Sequence, residues 1–139
     1  MNQYLFEDLH IGMEGRFSKN ITEEMAEKFL EITGDTNPLH TDDGFAQRKG
    51  YPRRVVHGML TASLYSTLAG LYLPGEKCLL WEVDAKFAAP VYIGDRLEVY
   101  GKITEVNGNY HYIRVKSHIK NQNGKTVSRA VITAGVHDV

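Results

Sequence analysis

Two hydrophobic periods run along the chain. Met25, Ala26, Phe29, Leu30 and Thr33 recur at helical spacing. Thr22 is a good N-cap ahead of them, Glu23 and Glu24 suit the positive end of the helix dipole, and Gly34 is a natural stop. A loop with Asn37 and Pro38 follows, and then a short helix from about Asp43 to Lys49, capped by Asp42. A second helix is predicted from Gly58 to about Tyr72, closed by Pro74–Gly75. It reads GMLTASLYSTLAGLY and carries no charged side chain, so it is expected to be buried on every side.

Downstream the period changes to two. Leu97, Val99, Gly101 and Ile103 alternate with Glu98, Tyr100, Lys102 and Thr104. After the turn Asn107–Gly108–Asn109, Ile113, Val115, Ser117 and Ile119 alternate with Arg114, Lys116, His118 and Lys120. A turn from Asn121 to Gly124 leads to a last strand, about Thr126 to Val136. Cys78 to Phe87, ended by Pro90, and Gly15 to Ile21 complete about five strands, mostly joined by tight turns and hence antiparallel. A sheet curled around one apolar helix satisfies both periods, an α+β arrangement.

With 139 residues and 15.7 kDa the chain is expected to form a single domain over residues 1–139. A chain of this size buries roughly 68% of its unfolded surface, enough for a core without metal or disulfide staples. Sixteen basic against seventeen acidic residues leave a formal charge of −1, without the basic excess of a nucleic-acid binder. The single cysteine, Cys78, has no partner for an internal disulfide, which points to a reducing compartment. The N-terminus lacks a basic segment followed by an apolar one, and the weakly polar stretch Gly58–Leu73 is shorter than the ~20 residues of a membrane span. A cytoplasmic protein without membrane attachment is expected.

The candidate chemistry sits at residues 32–46, ITGDTNPLHTDDGFA. Asp35 and His40 flank Asn37–Pro38, which forces a turn, and Pro38 disfavours helical geometry at Asn37. A loop turning here can bring a carboxylate and an imidazole to one point, the minimal kit for acid–base chemistry near neutral pH. Such a pair also occurs as an ordinary turn carboxylate hydrogen-bonded to a surface histidine, so the pair alone leaves both readings open.

The segment GDTNPLHTDDGFA closely resembles the hydratase motif of the MaoC-like dehydratases, the (R)-specific enoyl-CoA hydratase family. The similarity continues through Val56–His57–Gly58–Met59 and through Phe87, Ala89, Pro90, Val91, Tyr92, Ile93, Gly94 and Asp95, covering most of the chain from Phe6 onward. The resemblance implies a hot-dog fold, a curved antiparallel sheet of about five strands around a long buried central helix, and a homodimer. It implies reversible hydration of a trans-2-enoyl-CoA to a (3R)-3-hydroxyacyl-CoA, with Asp35 and His40 as the catalytic pair and Ser66 near it. Asn37 is a supporting residue beside the pair. No metal or cofactor is implied, the CoA thioester being the substrate. Tyr51–Pro52 is where the chain departs most from the family pattern.

Gly58 is the expected oxyanion donor. An N–H in the first turn of a helix lacks an intrahelical partner, and glycine lets a thioester approach closely, although packing where the loop enters the helix would also favour glycine. His57 is read as a structural histidine. His10, His111, His118 and His137 receive no role. Arg48, Lys49, Arg53 and Arg54 put four cations into seven residues, a candidate landing site for coenzyme A phosphates or an acidic acyl carrier protein, or else a solvated loop. Two other functions compete. Many hot-dog thioesterases place an acidic residue on or beside the central helix, and residues 58–73 hold neither Asp nor Glu. A non-catalytic acyl-thioester binding module would not need an intact acid–base pair.

Overall fold

In the computed structural model, which describes residues 1–137, the elements run β1 (Glu14–Asn20), α1 (Glu23–Thr33), α2 (Pro38–Thr41), α3 (Asp43–Arg48), α4 (Gly58–Thr67), β2 (Cys78–Phe87), β3 (Arg96–Asn107), β4 (Tyr112–Lys120) and β5 (Thr126–Val136). The five strands form one antiparallel sheet in the order β1-β3-β4-β5-β2. This is the hot-dog arrangement, and the strand alternation places the faces as the pattern predicts. Leu97, Val99 and Ile103 of β3, Ile113, Val115 and Ile119 of β4 and Val127 and Ile132 of β5 are buried in one core with Leu64, Tyr65 and Leu68. Glu98, Lys102, Lys116 and Arg129 take the outer face.

Two contacts seat the helix on the sheet. A Cβ at Gly101 would lie 2.7 Å from Val115 and 2.8 Å from Leu68, so only glycine lets Leu68 come this close to β3. The fully buried Tyr65 donates its hydroxyl proton to Ser128 Oγ (2.8 Å), which donates in turn to the Lys86 carbonyl (2.8 Å), linking α4 to β5 and β2.

Three expectations need correction. The α-helix that begins at Gly58 ends at Thr67, and Leu68–Tyr72 continues as a wider π-helical turn in which the Leu73 N–H reaches the Leu68 carbonyl at 3.0 Å. Nor is the helix buried all round. Leu60, Thr61, Ala62, Leu64 and Tyr65 are inside, whereas Met59 is 64% exposed and Ser63 and Ser66 face outward. An uncharged sequence marks what a face tolerates, and one chain wraps only one side of this helix. Pro38–Thr41, expected as loop, is a short helical turn. Asn37 stays extended as its N-cap and Pro38 stands near the start, where a missing N–H costs nothing.

Candidate active site

The loop after α1 is built by its own side chains. Gly34 ends α1 in the left-handed conformation (φ 68°), with its N–H on the Leu30 carbonyl. The Asp35 N–H donates to Thr33 Oγ1 (3.2 Å), Asp35 Oδ1 accepts from the Asn37 N–H (3.2 Å), and Asn37 Oδ1 caps the Leu39 N–H (3.0 Å). Asn37 therefore supports the loop through backbone bonds. One carboxylate oxygen of Asp35 is engaged by the turn, while Oδ2 faces two imidazoles, 3.9 Å from Nε2 of His40 and 3.9 Å from Nε2 of His57.

His40 is oriented from its other nitrogen. Nδ1 lies 2.7 Å from the Val55 carbonyl, which can only accept, so Nδ1 carries a hydrogen and Nε2 is turned toward Asp35. The gap of 3.9 Å is too wide for a direct hydrogen bond and suits one oxygen about 2.8 Å from each group. The Asp35 side chain is half exposed and that of His40 mostly covered, so the pair is open to a ligand on one side.

Gly58 opens α4, and its N–H has no backbone partner among the described residues. A Cβ there would sit 3.3 Å from the Phe87 ring, so any other residue would crowd the space between them. Gly58, His40, Tyr51, Thr61, Phe87 and Val91 line one cleft of about 330 Å³. A second hollow of about 400 Å³, on the outer sheet face among Lys86, Lys102, Lys116 and Arg129, includes no residue of the Asp35–His40 loop.

The remaining expectations fall differently. Ser66 is exposed on α4 and makes no hydrogen bond to Asp35 or His40 among the described residues, because the helical turn carries it to the face away from the core. The cationic run is divided. Arg54 pairs with Glu23 and Glu27 of α1, each at 3.2 Å, and so serves the fold. Arg53 lies over the Tyr92 ring and donates to the Ile93 carbonyl, while Arg48 and Lys49 flank the Phe45 ring; these three remain exposed. Burial pushes the Cys78 thiol up to about 11, which keeps it from serving as a thiolate nucleophile near neutral pH.

Sequence reasoning missed two features. The structural reading of His57 holds, its Nε2 lying 2.9 Å from the Asp35 carbonyl, but its place against the pair, with its ring 4.0 Å from that of His40, is not foreseen. Thr61, 2% exposed, has a hydroxyl without a partner among the described residues. Asp35, His40 and His57 each offer a ligand atom, all within 4.8 Å of one another. However, Nε2 of His57 lies 2.9 Å from the Asp35 carbonyl and carries a hydrogen toward it, so a cation would have to displace that bond.

Residues 9–128 match the profile of the MaoC like domain. The chain belongs to that family. Among similar proteins, a 3-hydroxybutyryl-CoA dehydratase of Methylorubrum extorquens is 40% identical over 101 residues, 73% of this chain and 64% of that protein. An (R)-specific enoyl-CoA hydratase of Aeromonas caviae is 32% identical over 118 residues, 85% of this chain and 88% of that protein. The solved structure of the A. caviae (R)-hydratase superimposes with a TM-score of 0.89 at 29% identity, covering 94% of this chain and 99% of that one.

Proposed function

We propose that this chain is an enoyl-CoA hydratase, adding water to a trans-2-enoyl-CoA to give a (3R)-3-hydroxyacyl-CoA and running in reverse as a dehydratase. The observation that carries the reading is the 3.9 Å gap between Asp35 Oδ2 and His40 Nε2, with His40 lining the same cleft as Gly58, whose N–H has no backbone partner among the described residues. A water oxygen fits between the two side chains. Asp35 takes one proton as the oxygen bonds to the β-carbon, and the alkene electron pair moves toward the thioester oxygen, which the Gly58 N–H receives. His40, protonated on Nε2, returns a proton to the α-carbon on the same face. A proton passing from Asp35 to His40 resets the pair. The (R) outcome follows the relatives.

No step of this mechanism requires a metal or cofactor. Arg48, Lys49 and Arg53 are suited to the phosphates of coenzyme A or to an acidic acyl carrier protein. None of the helices is long and apolar enough to cross a membrane among the described residues, and we place the protein in the cytoplasm without nucleic-acid partners. A homodimer is supported by β2, which lies at the sheet edge with Leu79, Leu80 and Trp81 each 39–49% exposed.

Crotonyl-CoA is the discriminating substrate. Loss of enoyl-thioester absorbance without free thiol is the predicted result. Release of CoA thiol would show a thioesterase, and binding without either change would show a non-catalytic acyl-thioester module.

A further inference from the structure

We infer that His57 is a positioning residue which holds Asp35, His40 and Gly58 in one frame; the inference rests on the hydratase reading for its kinetic consequence. Three elements meet on this imidazole, which is 4% exposed. Its ring lies 5.3 Å from Phe29 of α1, tilted at 58°, and 4.0 Å from His40 of α2, near parallel at 27°. As the N-cap residue of α4 it directly precedes Gly58, so its backbone sets where the first free N–H of that helix begins.

The ring has a polar task as well as a packing one. Nε2 lies 2.9 Å from the Asp35 carbonyl, and a carbonyl only accepts, so Nε2 carries the hydrogen. Nδ1 is buried without a partner among the described residues, so a second hydrogen there would have no acceptor. The ring is thus suited to giving one N–H to the backbone of Asp35. That bond fixes the stretch of chain whose side chain carries Oδ2, itself 3.9 Å from both imidazoles. A packing residue would need only the ring faces, whereas this residue joins the acid–base loop to the helix that receives the thioester oxygen. A misplacement of about 1 Å in such a constellation costs up to ~10²-fold in rate.

Two variants separate the roles. His57→Phe keeps a ring between Phe29 and His40 and removes the donor; His57→Gln keeps an N–H donor and removes the ring. With crotonyl-CoA, His57→Phe is expected to lower kcat by about 10- to 100-fold with KM changed less than about threefold, and His57→Gln is expected to recover part of that loss. Crystal structures of the wild type and His57→Phe supply a readout independent of activity. A changed Asp35 Oδ2 to His40 Nε2 separation supports the inference, and an unchanged one overturns it, even if the wild type were inactive. Wild-type kcat in His57→Phe would also overturn it, as would losses of kcat and thermal stability that run in parallel and are not relieved in His57→Gln. Lack of hydration by the wild type itself would refute the hydratase reading and leave the positioning role to the structural comparison.

Discussion

Asp35 divides its carboxylate between two tasks, Oδ1 closing the turn with the Asn37 N–H and Oδ2 facing the imidazoles. The turn carboxylate and the carboxylate we propose for catalysis are one group, which is why the local sequence supports both readings at once. The Asp35–His40 spacing was legible because two residues five apart with Asn37 and Pro38 between them sit on a turn that carries them back toward each other. His57 was not legible. It is distant in sequence from both partners, and only the fold brings its ring against Phe29 of α1 and His40 of α2. For Ser66, which is exposed, spacing along a helix states which turn a residue occupies without stating which side the core will cover. At Thr61 the buried hydroxyl has no partner among the described residues, and leaving such a group unsatisfied costs roughly 1–3 kcal/mol. Thr61→Val is accordingly expected to leave the melting temperature unchanged or raise it by a few degrees, as read by calorimetry. A clear decrease would mean that the hydroxyl is satisfied in solution.

Strands β3 and β4 read well because each has one wet and one dry face, so that alternation reports burial directly. The helices read less well for physical reasons. Pro38–Thr41 is a single turn, too short for any period, and the uncharged stretch from Gly58 could not reveal where α-helical geometry widens at Leu68. The tie between α4 and the sheet gives a prediction of its own. Burial pushes the Tyr65 hydroxyl up to about 12 despite its bond to Ser128, so the folded protein holds this proton above the phenol's ordinary value of 10. Below pH 10 the Tyr65→Phe variant should be less stable by about 0.5–1.5 kcal/mol, the net worth of one hydrogen bond. Between pH 10 and about 12 the unfolded wild type releases a proton that the folded form keeps, so wild-type stability falls and the difference from Tyr65→Phe narrows. Urea unfolding of both proteins across that range checks the sign, and a constant difference would contradict it.

On the scale of the whole molecule, the near-zero net charge conceals an uneven distribution. Arg54 is tied to Glu23 and Glu27, while Arg48, Lys49 and Arg53 stand exposed in the segment preceding Gly58, where we propose that they meet an anionic handle on the substrate. The apolar surface is also uneven. Leu79, Leu80 and Trp81 lie together on edge strand β2, and Phe87 at its end is 52% exposed while it walls the cleft. Pairing of two β2 edges would cover unsatisfied backbone groups and this apolar surface together. Light scattering at micromolar concentration should therefore give twice the chain mass, and Leu79→Glu should shift the protein toward monomer; a monomeric wild type would contradict the proposed dimer. The central claim is that Asp35 and His40 add water to the enoyl thioester, and crotonyl-CoA turnover by Asp35→Asn and His40→Ala tests it most directly. The account predicts at least a ~10²-fold loss of kcat in each variant with the fold intact by circular dichroism, and near-wild-type turnover in either would contradict it.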